Sequence, residues 1–181
     1  MQESEQREIH GLPVRILNTR PEIHTEQVAE RLGLALDLIA TYAPRCYRRL
    51  RTDLAGFVVE RFACRGAFFP ASRKCLVELT FTVNPQVSLP EIAASIVHEA
   101  THARVAHWCG GSPPQHRGRE ERLCRRAELD FGLALPDGAI VVRRAQAALE
   151  LTEHEVAPTI DWQEAARRVA EVDAAARGTH S

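Results

Sequence analysis

Two histidines, His98 and His102, stand four residues apart in the stretch His98-Glu99-Ala100-Thr101-His102. On a helix, at roughly 100° per residue, their imidazoles fall about 40° apart and can hold one metal ion from the same face. Glu99 points about 100° from His98, beside such an ion rather than at it. A general base needs that position to take a proton from a metal-bound water. From Ile92 to Ala103 the only charged side chain is Glu99, and the rest are Ala, Ile, Val, Ser, Thr and the two histidines. Such a helix reads as buried nearly all round. An unpaired glutamate there costs several kcal/mol or has its pKa raised. Chemistry, or a metal close by, is a reason to keep one.

The elements that must position these residues can be read outward from them. Ser88 is a plausible N-cap, Pro90 suits the first turn, and Glu91 suits the positive end of the helix dipole. The helix should run to about residue 108 and stop at Gly110-Gly111. Upstream, residues 12–19 suit a short strand, and Val28, Leu32, Ala35, Leu36 and Ile39 have helical spacing after a Thr25 cap. Pro44 ends that helix or starts a second one. Residues 56–64, 66–70 and 74–83 read as strands, the last by its clean alternation, ended by Asn84-Pro85. Downstream, helices are expected at about 115–134, 139–155 and 161–177, with a Pro136-Asp137-Gly138 turn between the first two. The expected class is α+β: a small mixed or antiparallel sheet, then the histidine helix, a glutamate-bearing helix and C-terminal helices. Residues 1–135 would form the domain, with 1–11 a loose leader, and 136–181 a helical extension packed on it.

The pentapeptide, set on a central helix, resembles the zincin metallopeptidases. The resemblance implies a zincin-like fold, Zn2+ bound by His98 and His102, and Glu99 as the catalytic base. The metzincin branch needs a glycine and a third histidine where Val105 and Trp108 stand, so it does not apply. The gluzincin branch places a glutamate on a following helix, and eighteen residues intervene between His102 and Glu121. The resemblance therefore implies Glu121 as third metal ligand, with Glu128 two turns on as a partner for a ligand histidine. Glu120 remains the alternative, because it lies on the axis of an apolar stripe of Leu123, Ala127, Phe131 and Ala134. The likeness covers roughly residues 50–135 and extends to short bacterial metallopeptidases. It implies hydrolysis of a peptide or protein substrate, which residues 74–83 could align by backbone pairing. Tyr42, Tyr47, His116 and Arg117 are the candidates for stabilising an oxyanion. The rival reading is a binding or regulatory protein that holds zinc without turnover.

Composition excludes other classes. The 181 residues carry a formal net charge of -1 and only 6% aromatics, so neither the basic excess nor the stacking surface of a nucleic-acid binder is present. The basic run from Arg45 to Arg51 reads as a solvated helix face. Five cysteines without a Cys-x-x-Cys pair argue against a disulfide framework or a thiolate zinc knuckle. Cys109 and Cys124 read as small core residues, and a cytoplasmic location is the expectation. No apolar run approaches the roughly 20 residues of a membrane span.

Overall fold

The computed structural model describes residues 3–110, 113–157 and 161–178. Strands β1 (Glu3–Ile9) and β2 (Leu12–Asn18) form an antiparallel hairpin. His10 and Gly11 turn it at positive φ, 54° and 72°. The leader is therefore a strand from Glu3 onward. It has little apolar content to advertise it, because backbone pairing with β2 rather than burial holds it in place.

Helices α1 (Thr25–Tyr42) and α2 (Pro44–Asp53) then lead to β3 (Gly56–Glu60), which runs parallel to β2. Strand β4 (Gly66–Phe69) lies at the far edge, and β5 (Lys74–Glu78) returns between β3 and β4. It pairs parallel with β3 and antiparallel with β4, so the sheet is mixed, in the order β1-β2-β3-β5-β4.

The strand expected over residues 74–83 stops at Glu78, and helix α3 (Leu79–Val83) follows. The Glu78 carboxylate accepts the Phe81 N–H at 2.6 Å, and the Thr82 hydroxyl donates to the Glu78 carbonyl at 2.8 Å. These local bonds offer the backbone a turn in place of a ladder, which alternation alone does not reveal. Being interior, β5 already pairs on both sides and has no free edge for a substrate. The edges of the sheet are β1 and β4.

Helix α4 (Leu89–Cys109) follows and ends at Gly110, whose left-handed φ of 69° is the usual helix stop. After a 3-10 turn (Pro114–His116) come α5 (Arg117–Ala134) and α6 (Ala139–Glu150). The short α7 (Glu153–Val156) and α8 (Trp162–Gly178) are the last elements. The helix expected over residues 139–155 is broken because Thr152 starts α7 with its own cap, its hydroxyl accepting from the Glu155 N–H.

The described residues thus form an α+β molecule with a five-stranded sheet and eight α-helices. Val14, Ile16, Phe57, Val59, Cys75 and Val77 bury one sheet face together with apolar residues of α1 and α4. Helix α5 packs against α4, and α6 against α5. Helix α8 is tied to the rest by Asp173, which pairs with Arg61 at 2.9 Å and Arg20 at 3.2 Å. Among the described residues no helix is long and apolar enough to cross a membrane.

Candidate metal centre

Helix α4 begins firmly. The Glu91 carboxylate accepts both the backbone N–H and the hydroxyl of Ser88, each at 3.0 Å, which fixes the first turn. Two turns further on, the Thr101 hydroxyl donates to the Val97 carbonyl at 2.8 Å and is thereby satisfied within the helix. Around it, His98, Glu99 and His102 are aimed off the helix. His98 and Glu99 are buried, and His102 is half-buried.

The two histidine Nε2 atoms converge to 3.2 Å. Glu121 on α5 closes on the same point, with Oε2 3.2 Å from His98 Nε2 and Oε1 3.5 Å from His102 Nε2. The outer nitrogens are held separately. His98 Nδ1 lies 2.5 Å from Glu128 Oε1, and His102 Nδ1 lies 2.6 Å from Glu120 Oε1. A carboxylate on Nδ1 keeps the proton there and leaves the Nε2 lone pair facing inward, toward a metal. Glu120 and Glu121 are therefore not alternatives. One orients a histidine from outside and the other faces the shared centre.

The stripe of Leu123, Ala127, Phe131 and Ala134 marks the inward face of α5 only in part, through Phe131 and Ala127. Leu123 is 48% exposed, whereas Cys124, Glu128, Phe131 and Gly132 are buried. Carboxylates occupy much of the inward face, so hydrophobicity points to the wrong side of the axis.

Cys124 is buried, as the sequence reading expects of a small core residue, but it also stands beside the two histidines, which that reading does not foresee. Its Sγ and one nitrogen each of His98 and His102 all lie within 4.8 Å of one another, a group able to hold a metal ion. It sits three residues, about one helical turn, after Glu121. That spacing relative to a ligand is the signal that could have found it. Burial pushes its thiol up to about 11, against the pull of His102. Cys109, by contrast, is exposed at the end of α4 rather than in the core.

Burial raises the Glu99 carboxyl above its ordinary range, partly offset by the neighbouring histidines. Burial alone would lower His98, but its bonds to Glu121 and Glu128 outweigh this and raise it. Glu121 is raised by burial, yet His102 and His98 pull it well below the usual carboxylate range. Four glutamates thus crowd one centre, and the guanidinium bonded to them is Arg125, 2.7 Å from Glu128. Buried acids in such excess call for a cation. Two imidazole nitrogens and a carboxylate suit a divalent transition metal.

One side of the centre is open. A cleft of about 820 Å³ is bounded by β4, α4, α5 and α6, with Trp162 at its margin. Gly66 brings β4 directly onto α4. A Cβ built there would stand 2.9 Å from Ser95 Oγ and 3.1 Å from Glu99 Cγ, so a larger residue would push these side chains aside. Of the oxyanion candidates, Arg117 lines the cleft. Tyr47 is bonded to His10 at 3.0 Å, Tyr42 lines a separate hollow with Val97 and Thr101, and His116 is exposed. His107 turns to Asp53, 3.9 Å away, and His24 precedes α1 as its cap residue. His180 lies outside the described residues. Searches of family models, curated proteins and solved structures find no match for this protein.

Proposed function

We propose that this protein is a zinc-dependent peptidase of the zincin type, with His98, His102 and Glu121 as the protein ligands and Glu99 as the base. The observation that carries the reading is the convergence of His98 Nε2, His102 Nε2 and Glu121 on one point beside an open cleft. Three protein ligands with one position left for water are the composition of catalytic zinc sites. Zinc held there lowers the pKa of a bound water and polarises a carbonyl oxygen.

The protein's own residues do the rest. Glu128 and Glu120 hold the two imidazoles in orientation through Nδ1. Glu99 lines the cleft, and burial makes its carboxylate a stronger proton acceptor than a solvated one. It takes the proton of the attacking water and hands it to the leaving amine. Strand β4 borders the cleft at the sheet edge and offers backbone groups to an extended peptide.

The test is Glu99→Gln. We expect turnover to fall by about 10³-fold or more while one zinc per molecule is kept. Activity retained in that variant removes Glu99 from the mechanism.

Cys124 favours a second reading, a closed site in which its sulfur takes the position that water would need. The protein would then hold zinc without hydrolysis. Cobalt substitution separates the two. Thiolate ligation gives an intense near-ultraviolet charge-transfer band that vanishes in Cys124→Ser, whereas the peptidase reading expects no such band.

A further inference from the structure

One end of the cleft gathers three arginines, and two of them, Arg65 and Arg144, have no part in holding a metal. Arg65 precedes β4, Arg125 lies on α5 and Arg144 on α6, and all three line the cleft. Two carboxylates face them. Glu128 accepts from Arg125 at 2.7 Å, and Glu91 accepts from Arg144 at 3.2 Å. Both carboxylates have other work, at His98 and at the Ser88 cap. The Nε of Arg125 is buried and has no hydrogen-bond partner among the described residues, so the guanidinium presents its terminal nitrogens to the cleft. Burial lowers the Arg65 pKa, and Arg144 and Arg125 add to that as like charges, partly offset by Glu91 and Glu128. Guanidiniums gathered on one wall are relieved by an anion, and a carboxylate matches their planar fork.

The position of this end fixes its meaning. Arg125 is separated from His98 only by the Glu128 carboxylate they share. Arg65 adjoins Gly66, whose backbone abuts Glu99. An anion gripped here lies beside the bond that Glu99 would serve.

We infer that Arg65, Arg125 and Arg144 form a carboxylate-recognising subsite, so that the substrate carries a carboxylate within about two residues of the scissile bond. This rests on the peptidase reading. The carboxylate is either the C-terminus of a peptide or an Asp or Glu side chain, and both present the same two oxygens to the fork.

The experiment has two arms. Zinc-loaded protein is given mixed short peptides, as free acids and as C-terminal amides, with Asp and Glu or their amide counterparts inside, and the products are sequenced. We expect the acidic form to be preferred by about tenfold or more, and the preference to shrink in Arg65→Gln and in Arg144→Gln at unchanged zinc content. Loss on amidation assigns the C-terminus, and loss on Asp/Glu exchange assigns the side chain. Equal cleavage of acids and amides overturns the subsite and leaves the peptidase standing. In the second arm, glutarate and glutaramide are titrated against the Glu99→Gln protein by calorimetry. Glutarate binding that both arginine variants weaken, with no peptide cut in the first arm, retains an anion site and removes the peptidase. No preference for glutarate over glutaramide counts against the subsite whatever the first arm gives.

Discussion

Two groups of buried charge sit on opposite sides of the sheet edge, and they are built differently. In one, Asp173 of α8 and Glu78 of β5 meet Arg61, while Arg20 reaches Asp173 as well. The two buried acids are matched there by two guanidiniums, whose positive charge is permanent, and the exposed Glu22 also pairs with Arg20. In the other, Glu99, Glu120, Glu121 and Glu128 surround two histidines, and Arg125 is the guanidinium bonded to them. The first group is complete within the molecule. The second relies for much of its positive charge on two histidines, which can lose their protons, and a divalent ion would supply that charge permanently. Burial is equal in the two, so it does not distinguish a structural cluster from a functional one. The charge balance does.

The comparison can be broken most easily with metal. Adding zinc to chelator-treated protein should raise stability by about 4 kcal/mol once free zinc reaches a thousand times its dissociation constant. Thermal melts with and without chelator measure this, and Asp173→Asn protein should gain as much. A melt that ignores zinc would mean that the glutamate cluster is already balanced.

Next in size is Asp173→Asn itself. It leaves Arg20 and Arg61 with less opposing charge in a buried place and should cost about 3 kcal/mol. The loss should appear as faster amide hydrogen exchange along α8, with zinc content unchanged. Smallest are Glu128→Gln and Glu120→Gln, each expected to weaken zinc binding by about 10- to 100-fold through the histidine it orients. Competition with a chromophoric chelator reads this directly. If either variant binds zinc normally, its hydrogen bond is packing rather than orientation.

Much of the centre was legible because helical spacing is rigid. Four residues put His98 and His102 on one face, and Ser88, Glu91 and Gly110 bounded their helix closely. Glu121 entered through the resemblance, not through pattern. The apolar stripe of α5 pointed to Glu120 instead, because the inward positions are acids and the exposed Leu123 mimics a core residue. Cys124 gave no signal of its own, since a lone cysteine near apolar neighbours looks like packing. In the sheet, β1 was hidden by its polar side chains, and α3 by threonines whose alternation imitates a strand. The arginines that line the cleft come from three separate elements, and no local pattern brings them together.

The glycine at position 66 has a further consequence. His98, His102, Glu120, Glu121, Cys124 and Glu128 all lie on the antiparallel neighbours α4 and α5, so the grip on a metal is local in sequence. The sheet contributes to the centre chiefly where β4 touches Glu99. A molecule whose edge strand has peeled away would still carry its ion while losing the wall of the cleft. Metal content would then overstate the working fraction of a preparation, and titration with a tight cleft-binding inhibitor would be the sounder count.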